Sequence, residues 1–213
     1  MKKFSFTGET KIYCGITLNR IKAEISFGIV VKGEIGGWLE KEGNLNQSSD
    51  AWVSGDARVF GNARVYGDAR VYDDAQVYGD ARVYDDARVY GDARVSDNTW
   101  VYGNARVSDN AQVYDNARVH GDAQVYSNAR VYGDARVHGD AWLITPLCIH
   151  TTKFSVCISS KTKISIGCET YTPKEWDKIG ERIAKNNDFT KTEIEEYKLY
   201  IDLCKRWLKL YCS

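Results

Sequence analysis

Lysine and glutamate are missing from residues 51–146 of this 213-residue chain. Charge in that stretch comes only from ten Arg and fourteen Asp, a balance of −4 inside a chain that is neutral as a whole. Without a basic excess the segment lacks the field that nucleic-acid binding relies on, so nucleic acid is disfavoured as a partner. Proline is nearly absent, with Pro146 and Pro173 the only two, and the apolar share is 43%. That composition excludes a disordered, proline-rich segment. No apolar run approaches the ~18 residues needed to cross a membrane. The start, MKKFSFTGET, has no apolar signal-peptide core, so a cytoplasmic protein is expected. The six cysteines, at 14, 148, 157, 168, 204 and 212, include no CxxC pair. They are therefore expected as reduced thiols, and no metal or cofactor is assigned. Cys148, His150, Cys157 and Cys168 lie near one another, but their spacing matches no zinc module.

What is present is a repeat. From Ala51 the chain divides into sixteen hexads without an insertion: AWVSGD, ARVFGN, ARVYGD and onward. The first position is Ala except at Thr99, and the third is Val except at Leu143. Residues two apart share one face of a strand, so Ala and Val point inward and the Arg, Gln or Trp between them points out. The closing Gly-Asp, Asp-Asp, Gly-Asn or Ser-Asn turns the chain, because Gly, Asn and Asp tolerate left-handed backbone. One hexad is then one short strand and one corner, and three hexads close an 18-residue triangular coil. Such coils stack at the ~4.8 Å inter-strand distance. Stability comes from stacking, and one coil alone would not fold. Leu39, Leu45 and Ala51, six apart, extend the register upstream, as do Leu147 and Ile149 downstream.

This pattern resembles the hexapeptide-repeat proteins with a left-handed parallel β-helix, whose aliphatic residue is followed four positions on by a small one, as in Val53 and Ala57. The resemblance implies the left-handed form. A second resemblance lies in GEIGGWLEKEGNLNQSSDAWV (33–53) running into GDARVFGNARVYG. Gly36, Gly37, Trp38, Asn44, Leu45, Gln47, Ala51, Trp52 and Val53 are similar to the cap of a family common in phages and prophages. That likeness covers about residues 10–145. It implies a phage-type protein working in the host cytoplasm, with no settled activity.

The flanks carry other signals. Apolar alternation over residues 1–38 predicts a small β cap. Residues 39–152 are read as the β-helix, with clean repeats over 51–146. Two apolar runs around Ser159-Ser160-Lys161 predict a β-hairpin over 153–171. Thr172-Pro173-Lys174-Glu175 starts a helix with a capping box, and Thr190 with Glu193 starts another, so 172–213 reads as a helical hairpin. On the second helix Ile194, Tyr197, Ile201, Cys204, Leu208 and Tyr211 form one apolar stripe. Tyr200, Leu203, Trp207 and Leu210 form a second, wide enough to serve a homodimer or homotrimer as well as the core. The expected class is therefore mainly β, a triangular coil between a β cap and a C-terminal α/β unit.

Residues 18 apart stack on one outer face. One face gathers Arg64, Arg82, Trp100, Arg118 and Arg136 beside Tyr66, Tyr84, Tyr102, His120 and His138. Tyr, Trp and Arg are the residue types that dominate binding hot spots. Arg pairs with phosphate and Tyr stacks on bases. These ten residues are the candidate site, for a host protein or a small nucleotide-like ligand. The non-enzymatic role they fit is binding, with counter-defence in a phage setting as its concrete form. Asp56, Asp74 and Asp92 also stack, a column that a calcium ion could share, although turn formation already accounts for them. The enzymatic alternative is an acyltransferase using acetyl-CoA, with His120 or His138 as general base. A structural spacer in a virion is the third reading.

Overall fold

The computed structural model describes residues 2–139, 141–142, 146–149, 151 and 153–211, with the backbone alone at 141–142. Two long strands, β1 (Phe4–Tyr13) and β2 (Ile16–Ala23), pair antiparallel about a Cys14-Gly15 turn in which both residues have positive φ. A third strand, β3 (Ile35–Leu39), pairs antiparallel with β2 and, on its other edge, parallel with Arg58–Val59. There the cap becomes a parallel β-solenoid of about six turns.

Three parallel sheets form its faces. The first continues the cap through Arg58, Gln76, Arg94, Gln112 and Arg130. The second runs through Arg64, Arg82, Trp100, Arg118 and Arg136. The third runs through Trp52, Arg70, Arg88, Arg106 and Gln124. Each partner lies 18 residues on, and backbone bonds such as Arg64 N–H to Ala81 O, 2.9 Å, hold coil to coil. The Ala and Val slots from Ala51 to Val137 are at most 2% exposed and form one continuous core. Burying each Val stabilises by roughly 1.5–3 kcal/mol, much of it offset by ordering the chain.

Both ends depart from the 18-residue spacing. Leu39 pairs with Val59 and Leu45 with Val65. They therefore fill Val slots, not the Ala slot that their six-residue spacing to Ala51 implies. Eight residues separate Leu45 from Val53. At the other end Ala141 pairs with Gln124 and Trp142 with Val125, one residue short of the period. Leu143 and Thr145 lie outside the described residues, as do His150 and Cys212.

The corners share one backbone rule. All fifteen fifth-position residues from Gly55 to Gly139 have positive φ, between 56° and 76°: nine Gly, five Asp and Ser127. The five Asp have a compensating bond. Asp73, Asp85, Asp97, Asp109 and Asp115 each accept, through Oδ2, the backbone N–H of the corner 18 residues on, at 2.9–3.3 Å. The side chain thus satisfies a donor that a Gly corner leaves to water.

The Gly-Gly-Trp and Asn-Leu-x-Gln residues build the lid. A Cβ on Gly36 would lie 2.5 Å from Ile21 and 2.7 Å from Trp52, and one on Gly37 would lie 2.7 Å from Val53. Trp38 donates its indole N–H to Asp56 at 3.2 Å. Buried Asn44 donates to the carbonyls of Gly61 and Ala63. Gln47 bonds the backbone of both Lys3 and Phe4. Lys3, 2% exposed, reaches the carbonyls of Ser49 and Ala51 at 2.8 Å each. Burial pulls its pKa down to about 8.

At the far end, Val156–Ser160 lies fully buried against the strand Arg136–His138 and closes the last coil. It is the centre of a four-stranded antiparallel sheet in the order Cys148–Ile149, Val156–Ser160, Lys163–Ile166, Glu169–Tyr171. The expected hairpin is thus the middle of a wider sheet, whose outer strands are only two and three residues long. Helix α1 (Pro173–Asn186) starts at the Thr172–Glu175 capping box, and Trp176 anchors it through an indole N–H bond to Ile164 O, 2.8 Å. Helix α2 (Lys191–Tyr211) buries Ile194, Tyr197, Ile201, Cys204 and Leu208. Its second stripe is divided: Tyr200 and Trp207 pack partly against the core, while Leu203 and Leu210 are 48% and 73% exposed.

Two substitutions test the corner and core rules. A Cβ on Gly67 would stand 2.6 Å from the Asp85 nitrogen, whereas one on Gly121 meets nothing closer than 3.9 Å. Gly121→Ala should cost about 1 kcal/mol and Gly67→Ala about 3 kcal/mol in urea unfolding. Equal costs would show that coil spacing does not restrict the corner. Thr99 is buried with a hydroxyl that has no partner. Thr99→Ala should leave stability unchanged or raise it by up to about 1 kcal/mol; a clear loss would mean that the hydroxyl is satisfied in solution.

Candidate functional site

The second face brings all ten candidate residues together. Its ring column is continuous: Tyr66 stacks on Tyr84 at 4.9 Å, Tyr84 on Tyr102 at 4.9 Å, Tyr102 on His120 at 5.1 Å and His120 on His138 at 5.3 Å. Stacked rungs of the solenoid force these centroid distances. The other two columns are broken. Ser96 replaces a ring between Tyr78 and Tyr114, and Ser108 replaces one between Tyr90 and Tyr126. On this face rings therefore stack on rings. Burial among its neighbours pushes the Tyr84 phenol up to about 12, with Tyr102 and Tyr66 adding to the effect.

Beside the rings runs the Arg column. Trp100 lies between Arg82 and Arg118, whose guanidinium carbons are 5.1 Å and 4.8 Å from its ring centroid. Its edge meets Tyr84 at 6.4 Å. Trp100 thus occupies the rung between Arg82 and Arg118, where an Arg would bring like charges one rung apart. Among the described residues, no carboxylate comes within ion-pairing distance of Arg64, Arg82, Arg118 or Arg136. Among the described residues the same holds for Arg70, Arg88, Arg94 and Arg106 on the other faces, whereas Arg58 pairs with Asp74 at 3.7 Å and covers Tyr13 at 4.6 Å.

The upper end of the strip opens into a groove of about 620 Å³ between Arg64, Tyr66, Arg82 and the segment Glu42–Gln47. Asn46 N–H bonds Val65 O, which places Asn46 in the slot above Tyr66. The ring column thus begins at Tyr66, beneath a non-aromatic residue. Residues 42–47 were not among the sequence candidates. The only sequence signal for them was the two extra residues between Leu45 and Val53.

Other expected sites are distributed differently. Cys148 and Cys157 face each other across an antiparallel pair and form a disulfide, their Cα atoms 4.1 Å apart. This corrects the expectation of reduced thiols throughout, because only strand pairing reveals that these two side chains meet. Cys14 and Cys168 are free and exposed; Cys204 is free and buried. Among the described residues no group of three or more His, Cys, Asp or Glu is arranged to hold a metal ion. The Asp corners act within the coil: Asp56 faces Trp38 and Arg20, and Asp74 faces Arg58. His120 and His138 are rungs of the ring column. Burial lowers the His120 pKa, and His138, Arg136 and Arg118 lower it further.

A family model described as YdcK Beta solenoid repeat matches residues 63–75, 75–88, 87–103, 111–127, 123–139 and 129–143. No curated protein matches the chain. The match and the six-turn coil together establish a β-solenoid repeat protein. Among the described residues no helix is long and apolar enough to cross a membrane.

The His120 environment gives a pH signature. Its folded pKa is depressed below the ordinary value of 6.5. The unfolded chain therefore takes up the proton first, and stability should fall as pH drops from about 7 through that value. His120→Tyr restores the commonest rung and should flatten this part of the profile in chemical unfolding between about pH 7 and 5.5. An unchanged slope in the variant would show that His120 is as accessible folded as unfolded.

Proposed function

We propose that this protein is a non-enzymatic binding module whose working surface is the second face of the solenoid. The observation that carries the reading is the unbroken column of five rings, which the other two faces lack, beside four guanidinium groups with no carboxylate in ion-pairing distance among the described residues. The stacked rings cover one another's faces and so offer edges along the column, the end ring Tyr66 borders the groove, and the Arg side chains offer planar anion recognition. The groove at Tyr66 gives a small ligand a concave end to enter. A nucleotide-like molecule, with a ring and a phosphate, meets both requirements. A host protein presenting acidic and aromatic side chains meets them along the rest of the strip. Phage or prophage origin, and counter-defence by sequestering a nucleotide signal or blocking a host immune protein, follow from the resemblance of the Gly36–Val53 cap and give the surface a concrete task in the host cytoplasm.

Two features favour binding over acetyl-CoA-dependent acyl transfer. No loop interrupts the hexads between residues 51 and 139 to wall off a substrate. His120 and His138 pack against each other and Tyr102 as part of a stack. A virion spacer would need no continuous ring column on one face alone.

Calorimetric titration with nucleoside triphosphates and cyclic dinucleotides tests the reading. At least one should bind in the micromolar range, and Arg82→Ala/Arg118→Ala should weaken it at least tenfold, about 1.4 kcal/mol. Absence of binding by every nucleotide, or an unaffected double variant, would remove the nucleotide reading. Turnover of acetyl-CoA abolished by His120→Ala would instead establish the transferase.

A further inference from the structure

A second cavity lies far from the strip, in the C-terminal unit. It is a cleft of about 300 Å³ between the Lys163–Ile166 strand, α1 and α2. That is the lower end of the size range of small-molecule sites. Its apolar wall includes Ile166, Trp176, Ile183, Phe189, Ile194 and Ile201. Trp176, Ile194 and Ile201 are each less than 9% exposed and form its floor, while Asp177, Glu181, Lys198 and Asp202 are exposed at its mouth, so the space is a cleft with an apolar floor and a solvent-facing rim.

Gly180 makes this more than loose packing. It sits in the middle of α1, where glycine weakens a helix and no positive φ requires it. Small residues on a helix face usually let a neighbouring backbone approach. Here the partner helix does not approach. A Cβ at Gly180 would meet only the Trp176 ring of its own helix, at 3.3 Å, and no atom of α2 within 4 Å. Ala184, one turn on, lines the same space. The two helices are held across the opening by ion pairs: Lys205 to Asp177 at 2.6 Å and Lys198 to Glu181 at 3.7 Å. Helix α1 thus presents its smallest side chains to a space that its partner leaves open.

We infer that this cavity is a binding site for an apolar small molecule with an uncharged or cationic head group. The wall supplies the apolar surface. The rim supplies the choice of head group: Glu169, Asp177, Glu181 and Asp202 outnumber Lys198 and Lys205. An anionic head would face this acidic excess, and an amine or a neutral group would not. The site is independent of the Arg and ring strip.

The test uses the full chain and a neutral fluorescent probe, N-phenyl-1-naphthylamine. It should bind saturably, one per chain, with decylamine displacing it at least tenfold more effectively than decanoate. Gly180→Leu fills the space and should lower probe affinity at least tenfold without lowering the melting temperature. Ala184→Leu should do the same and decides the matter if Gly180→Leu melts early. Arg82→Ala/Arg118→Ala should bind the probe like wild type, whatever happens to nucleotides. No saturable binding by wild type, equal binding by both filled variants, or a preference for decanoate would overturn the proposal.

Discussion

Every described part of the coil depends on vertical register. From Trp52 to His138 each paired strand residue of the repeat sits above its counterpart 18 positions away, one strand spacing up. That constraint makes like stack on like. It produces the sealed Ala and Val core, and it also produces columns of identical charge. Rings tolerate this arrangement because offset aromatic faces attract. Guanidinium groups do not, and two faces interrupt the Arg column in different ways, while the third stacks Arg70, Arg88 and Arg106 on consecutive rungs. Gln76 and Gln112 alternate with Arg on the first face, while Trp100 separates Arg82 from Arg118 on the second.

The same register explains why a module this regular has one distinctive face. Serine breaks two of the three ring columns and leaves the third continuous from Tyr66 to His138. A rigid row of rings and cations needs no reorganisation to meet a planar anion, so little ordering entropy opposes binding. The two ends close the core by different means. The N-terminal cap uses specific polar bonds from Lys3, Asn44 and Gln47, whereas the C-terminal sheet lays the buried strand Val156–Ser160 beneath the last coil.

Much of this was legible in the sequence because the repeat fixes geometry directly. Ala at the first hexad position and Val at the third can only be a two-residue inward face, and 18-residue spacing places Arg64 through His138 on one strip. The disulfide was not legible. Cys148 and Cys157 meet only because a two-residue strand pairs antiparallel with a longer one. The first coil was legible only in part, since the extra residues after Leu45 shift Leu39 and Leu45 into Val slots. The bond from each left-handed Asp to the next corner was also hidden, because sequence alone does not distinguish Asp as a turn former from Asp as an acceptor. The groove at Glu42–Gln47 and the cavity beside Gly180 are products of packing between elements, which no periodic pattern reports.

The central claim is that the second face, and not the other two, is the working surface. Arginine modification by phenylglyoxal, read by mass spectrometry with and without a bound nucleoside triphosphate, tests it most directly. The account predicts protection of Arg64, Arg82, Arg118 and Arg136 while Arg70, Arg88, Arg94 and Arg106 react as before. Uniform protection of all three faces, or protection centred on Arg70, Arg88 and Arg106, would contradict it.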